Sequence, residues 1–226
     1  MVDAMLPFTR EQFIAVFVAY NTGVWPAQIV AGLLGLVMVV LLVRPSAAGS
    51  RAIGIGLGAM WTWTGVVYHG LYFSAINKAA LAFGALFVLQ GIGLFHAAIG
   101  GRLRFGAARE GSAWLGWALV VYAAAIYPVL GVWSGHRYPE LPMFGITPCP
   151  VTLFTLGLLL LTTAPVPRWL LAIPLAWSLI GGSAAFLLGV PQDWLLLFSG
   201  GAVVLIVLRD ARWRAAAGPE LQASGR

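Results

Sequence analysis

Charged side chains are scarce in this 226-residue chain. Asp, Glu, Lys and Arg together make up 9% of the residues, whereas hydrophobic residues make up 61% and the mean hydropathy is +0.92. A water-soluble domain of this length cannot cover its surface with so few charges. The scarcity therefore excludes a soluble fold. It points to a bilayer as the solvent, where backbone polar groups must be paired inside helices or a closed barrel.

The two-residue alternation of barrel strands is also missing. The chain instead carries apolar runs of about 17–22 residues, each long enough to cross about 30 Å of hydrocarbon as a helix. We count seven such runs, at residues 24–43, 52–73, 79–99, 112–132, 148–164, 168–189 and 192–208. We predict an all-α, polytopic membrane bundle of about seven transmembrane helices that forms a single domain over residues 1–226.

Positive charge is unevenly divided among the connections between these runs. One set of connections and the C-terminal segment carry Arg44, Arg51, Arg102, Arg104, Arg109, Arg168, Arg209, Arg212, Arg214 and Arg226. The opposite connections carry only Arg10, Lys78 and Arg137. Because positive loops stay in the cytoplasm, we predict an outside N-terminus and a cytoplasmic tail at residues 209–226. The partner is thus the lipid bilayer, and no soluble basic domain exists to bind a nucleic acid.

A cleavable signal peptide is not evident in the first ten residues, which lack a basic start followed by an apolar core. Thr9, with Gln12 three residues later, instead fits a helix capping box. We predict a short interfacial helix within residues 1–22 that turns into the first span near residues 21–26. The helix has two interpretations, an anchor on the outer membrane surface or a lid over an outward cavity.

Cysteine and lysine occur once each, and histidine three times. A single cysteine excludes an intramolecular disulfide and an all-cysteine metal site. The only lysine, Lys78, precedes the third run, which excludes a rhodopsin-like retinal linkage in the last helix. His69 and His96 lie near opposite ends of their runs, which disfavours one haem held by both.

Polar residues inside apolar runs are costly and therefore indicate a site. Helical spacing in the second run places five residues on one face, with Tyr68 on its flank: Thr62, Gly65, His69, Phe73 and Asn77. His69 is thus predicted to face protein or a water-filled cavity. Two interpretations stay open, a hydrogen bond to a neighbouring helix or a role in ligand binding, proton relay or metal binding.

The longest non-helical connection, residues 133–150, contains four prolines and two glycines and is predicted to follow a fixed, turn-rich course. It carries His136 and Tyr138. Thr147 and Pro148 fit the cap and first position of the next helix, which places Cys149 in its first turn. There the thiol is either an activated group or a small packed residue.

Asp193 opens the seventh run on the same predicted side. Its carboxylate either stabilises the helix start through the helix dipole or serves as the counter-charge of Lys78, Arg137 or a bound cation.

The candidate site residues all fall on the predicted outer side, and no catalytic residue or cofactor can be assigned among them. The candidate ligand-binding residues are Tyr68, His69, Asn77, His136, Tyr138, Cys149 and Asp193. A weaker metal hypothesis uses His69, His136 and Cys149, whose spacing matches no ligand motif. The leading interpretation is a permease or binding protein for a small molecule or ion. The alternatives are a membrane-embedded metal-handling or redox enzyme and a structural subunit of a complex, and oligomerisation stays open.

Four sequence blocks carry a family resemblance over nearly the whole chain. They read LPFTREQF, YHGLYFSAINKAA, GHRYPELPMFGITPCPVTLFTLGLL and LGVPQDW. These blocks resemble an uncharacterised bacterial inner-membrane family, catalogued as a domain of unknown function and sometimes labelled as transporter permeases. The resemblance implies a multi-pass helical fold and a membrane location, and it implies no activity.

Overall fold

The computed structural model describes residues 7–106 and 113–223, with side chains described as far as residue 208. The α-helices are α1 (Arg10–Gly23), α2 (Ala27–Val43), α3 (Ala47–Trp63), α4 (Ala80–Ile99), α5 (Ala113–Val121), α6 (Tyr127–Trp133), α7 (Pro148–Leu160), α8 (Ala172–Leu188) and α9 (Trp194–Ala223). Within these ranges there is no β-strand, only one isolated bridge between Phe105 and Thr162. The predicted all-α class is confirmed.

Each predicted run coincides with a helix or a helix pair, but the runs differ in how well they suit a membrane. Four described segments are long and apolar enough to cross one: Ala80–Ile99, Ala113–Trp133, Arg168–Leu188 and Pro191–Leu208. A fifth span results if α1 and α2, which meet at a bend of 83°, are taken as one broken helix. The count of seven spans therefore stays a prediction.

The two remaining runs fall short for different physical reasons. α3 is rich in glycine and carries Ser50 and Thr62, which lowers its hydropathy. α7 has only 13 residues, about 20 Å of helix. All of α7 except Cys149 is buried among the other helices, so its ends need not reach the lipid headgroups.

α1 begins as its sequence predicts. The Gln12 amide donates to Thr9 Oγ1 (3.3 Å) and the Thr9 amide donates to Gln12 Oε1 (2.8 Å), which confirms the capping box. The turn predicted near residues 21–26 is also present. Beside it, the buried Asn21 side chain donates to the carbonyl oxygens of Pro139 and Leu141, both at 2.7 Å, and so ties α1 to the proline-rich connection.

α3 and the residues that directly follow it pack closely against α4 because glycines face each other. A Cβ atom on Gly65 would lie 2.7 Å from the Gly84 carbonyl oxygen, and one on Gly58 would lie 3.0 Å from that of Gly91. Small residues at such positions let two backbones approach, as in many membrane helix pairs. The contact sets the position of the segment that follows α3.

That segment is not α-helical. α3 continues as a π-helix over Thr64–Tyr72 and a 3₁₀ turn over Phe73–Ala75. π-helical insertions are rare and are found frequently at functional sites. This one carries Tyr68 and His69.

Candidate functional site

A cavity of about 360 Å³ lies between α1, the π-helical segment, α4, α7, α8 and the 3₁₀ turn Pro191–Asp193 that precedes α9. Seven aromatic side chains line it: Phe8, Phe13, Phe17, Tyr68, Phe73, Phe83 and Trp177. The polar residues in its lining are His69, Asn77, Cys149, Ser183 and Asp193. The cavity is thus mainly apolar, with a few polar groups converging on it from separate elements.

His69 is fully buried among aromatic rings. Its ring centroid lies 4.9 Å from that of Phe87, 5.1 Å from that of Trp177 and 5.2 Å from that of Tyr68. Within the described part of the chain, neither Nδ1 nor Nε2 has a hydrogen-bond partner. In the described residues His69 therefore makes no hydrogen bond to a neighbouring helix, and the side chains that lie closest to it are aromatic rings.

The Trp177 side chain also contains an unpaired buried nitrogen atom. Its Nε1 atom is buried and lacks a hydrogen-bond partner among the described residues. Buried polar atoms are nearly always paired with protein or with water, so each exception calls for an explanation. Two exceptions whose rings touch and line the same cavity suggest that a further group completes them.

Among the residues that the structure describes, Asp193 is the only charged residue in the cavity lining, and 6% of its surface is exposed. The Tyr127 hydroxyl donates to its Oδ1 atom. The Tyr122 hydroxyl donates to the neighbouring Gln192 carbonyl oxygen (2.7 Å) and so fixes the turn. No Lys or Arg of the described residues pairs with this carboxylate, so neither Lys78 nor Arg137 is its counter-charge. Its place directly before α9 also fits the helix-dipole interpretation.

Cys149 lies in the first turn of α7, as predicted, and is half-buried in the cavity wall. Thr147 occupies the N-cap position with Pro148 at the start of the helix. The Thr147 hydroxyl does not cap the helix, however, because it donates to the Met143 carbonyl oxygen (2.8 Å).

The structure brings five of the seven predicted ligand-binding residues to this cavity: Tyr68, His69, Asn77, Cys149 and Asp193. His136 lies instead in a much smaller adjoining pocket of about 20 Å³, with Arg10 and Glu140. Tyr138 is half-exposed, and its hydroxyl donates to the Asn21 carbonyl oxygen (3.1 Å), which gives it a structural contact. Ligand binding by these residues stays a prediction.

The set of residues suggested for a metal is divided. His69 and Cys149 line the main cavity, whereas His136 lines the small pocket. In residues 7–106 and 113–208, no three side chains of His, Cys, Asp or Glu come close enough together to hold a metal ion. The lining favours an organic molecule.

Sequence reasoning missed five residues of the cavity lining, Phe8, Phe13, Phe17, Phe83 and Trp177, and also Tyr127, which donates a hydrogen bond to Asp193 from outside the lining. Trp177 carried a usable signal, because a tryptophan in the middle of an apolar run lies away from the interfacial belts where this residue is common. The phenylalanines carried no such signal, because phenylalanines at helical spacing are equally typical of an interfacial anchor helix or of a helix face that contacts lipid.

No curated protein and no solved structure matches the chain. The sequence profile of one family matches residues 10–217, which include every cavity residue except Phe8. The match agrees with the resemblance carried by the four sequence blocks. The chain belongs to the family of unknown function DUF6064.

Proposed function

We propose that this protein binds a small, largely apolar molecule in the cavity beside His69 and acts as its membrane binding protein or permease. The observation that carries the proposal is the fully buried His69 ring with two unpaired nitrogen atoms. The cavity volume of about 360 Å³ falls within the range of small-molecule sites, about 300–1,000 Å³.

The energetics favour a ligand in this cavity. An unpaired buried polar group costs about 1–3 kcal/mol, and three such nitrogen atoms, two on His69 and one on Trp177, lie at one place. A bound molecule that pairs them removes part of this cost and covers the aromatic lining. The free energy that the unpaired nitrogen atoms cost without a ligand then contributes to the affinity for the ligand, and the same hydrogen bonds fix its orientation.

The same proposal includes the topology: seven spans in a bacterial inner membrane, an outside N-terminus and an outward-facing cavity. Support comes from a second pocket of about 300 Å³, where Arg51, Arg104 and Thr163 lie together. Arg51 lies near the start of α3, whereas Arg104 and Thr163 follow the ends of α4 and α7, so the arginine-rich ends of these helices share one end of the bundle. The cavity lies at the opposite ends of α4 and α7, beside Asn77 and Pro148.

α1 supports the permease form of the proposal. Phe13 and Phe17 line both the main cavity and the small pocket that holds Arg10, His136 and Glu140. The helix therefore stands between the two spaces, as a lid would. Uptake of a bound compound into proteoliposomes distinguishes a permease from a membrane binding protein, because only a permease carries the compound to the inside.

A ligand screen with matched variants tests the binding function. We expect small metabolites that raise the thermal stability of the wild type to have no effect on His69→Phe, which keeps an aromatic ring and removes both nitrogen atoms. The control is His96→Phe, an exposed histidine outside the cavity lining, which should keep every response. Compounds that stabilise both variants equally, or the absence of any stabilising compound, would contradict the proposal.

A further inference from the structure

We propose that the ligand is a small organic monocation of the protonated-amine class, with Asp193 as its counter-charge. This inference rests on the proposed binding function of the cavity and names the chemistry of its occupant. It is carried by three independent features of the lining: its charge, its aromatic content and its unpaired nitrogen atoms.

The charge of the lining is the first feature. Asp193 is the only charged residue among the lining residues, and the described residues offer it no Lys or Arg partner. A buried carboxylate in a protein is normally either paired with a cation or kept neutral by protonation, because desolvating an isolated carboxylate is costly. The Tyr127 hydroxyl supplies one hydrogen bond and no charge. A cationic ligand would complete the pair.

The aromatic lining is the second feature. Aromatic rings carry a negative face, which attracts a cation within about 6 Å of the centroid and disfavours an anion. Four of the seven rings, Tyr68, Phe73, Phe83 and Trp177, also lie within 6.0 Å of the His69 centroid, so the rings and the polar groups surround the same space. An aromatic wall of this kind therefore stabilises a bound cation more than it stabilises a neutral molecule of the same size.

The unpaired nitrogen atoms select an amine over a quaternary ammonium. A neutral imidazole offers one donor and one acceptor. A protonated amine can donate N–H bonds to the acceptor nitrogen of His69 and to the Asp193 carboxylate, whereas a quaternary nitrogen has none to give. The remaining donors, on His69 and on Trp177 Nε1, would serve an acceptor elsewhere on the ligand.

The test uses three probes of nearly equal size and different charge: 2-phenylethylamine, 2-phenylethanol and phenylacetate. Each is titrated calorimetrically at pH 7 into the full chain in phosphatidylcholine nanodiscs, with empty nanodiscs as the blank for partition into lipid. We expect the amine to bind about tenfold more tightly than the alcohol, which corresponds to about 1.4 kcal/mol, and phenylacetate not to bind.

Matched variants locate the effect. Asp193→Asn should weaken the amine about tenfold and leave the alcohol nearly unchanged. Glu140→Gln is the control, because it removes a negative charge from the neighbouring pocket and not from the cavity lining, and it should change neither probe. If Asp193→Asn does not fold, Phe83→Leu replaces it. Loss of that ring should weaken the amine about threefold and spare the alcohol.

The results distinguish the two proposals. Equal affinity for amine and alcohol, or tighter binding of phenylacetate, overturns the cationic class and leaves the binding function standing. An amine preference that survives both Asp193→Asn and Phe83→Leu also overturns the cationic class. If none of the three probes binds, the cationic class fails, and the metabolite screen with His69→Phe decides separately on the binding function.

Discussion

The indole of Trp177 stands edge-on to the imidazole of His69, with centroids 5.1 Å apart and ring planes at 75°. Both rings are buried, and in the described residues none of their three nitrogen atoms has a hydrogen-bond partner. Packing alone would be better served by two carbon rings. Under the proposed function, the pair lowers the stability of the protein and is retained because it contributes to ligand binding.

Replacing His69 by Phe should separate stability from binding. The variant removes two unpaired nitrogen atoms while keeping a ring against Phe87, so we expect the free energy of unfolding to rise by about 1 kcal/mol. Thermal unfolding in detergent without ligand measures this change. A loss of about 1 kcal/mol or more instead would mean that His69 makes a structural hydrogen bond, for example to an ordered water molecule, and that its role is not binding. His96→Phe should leave the stability unchanged.

The Tyr127–Asp193 hydrogen bond should be the strongest polar contact at the cavity. Hydrogen bonds to charged groups contribute about 1.5–3 kcal/mol, so Tyr127→Phe should lower the free energy of unfolding by that amount. Tyr122→Phe, which loses a bond to a backbone carbonyl, should cost about 0.5–1.5 kcal/mol. A double-mutant cycle of Tyr127→Phe with Asp193→Asn measures the coupling, and a coupling near zero would contradict the contact.

Asn21 should hold α1 against the proline-rich connection. Its side chain donates to the Pro139 and Leu141 carbonyl oxygens, and Asn21→Ala would leave both acceptors unpaired. We expect a loss of about 2–3 kcal/mol and faster proteolytic cleavage near α1. Asn77→Ala, which loses one exposed bond to the Ala79 amide, is the control and should resist cleavage like the wild type. Equal cleavage of the two variants would show that other contacts hold α1.

The close approach of the π-helical segment to α4 should also be needed for binding. Gly65→Ala places a Cβ atom 2.7 Å from the Gly84 carbonyl oxygen, so the helices must separate, at a cost of about 1–3 kcal/mol. The π-helical segment that carries His69 should then shift, and the affinity for 2-phenylethylamine should fall. Gly32→Ala, whose Cβ atom would meet nothing within 4 Å, is the control and should retain full stability and affinity. Unchanged binding by Gly65→Ala would separate the cavity from this contact.

The sequence predicts the helices and part of the site for a clear physical reason. Polar residues in apolar runs are costly, and so His69 and Asp193 stood out before any contact was known. The capping box of Thr9 and Gln12 is equally local and was predicted correctly. Three further cavity residues were predicted from their positions in the chain: Tyr68 and Asn77 relative to His69, and Cys149 relative to the predicted helix start at Pro148.

Other features depend on tertiary structure and could not be predicted. The π-helical turn of Thr64–Tyr72 has no sequence signature, and Trp177 meets His69 only because α8 packs against α4 and the π-helical segment. His136 and Tyr138 come shortly before Cys149 in the chain, and yet the hydrogen bonds between Asn21 and this connection hold them away from the cavity. α9 extends to Ala223, through most of the segment predicted as a tail, and it continues through Gly218 and Pro219, two residues that disfavour a helix interior.

Native mass spectrometry of the protein, released gently from membranes of its expression host, tests the central claim most directly. The account predicts an organic mass small enough for a cavity of about 360 Å³, retained by the wild type and by His96→Phe and lost in His69→Phe. Bare protein carrying only lipid adducts, identical in all three forms, would contradict the claim that the cavity beside His69 is a ligand site.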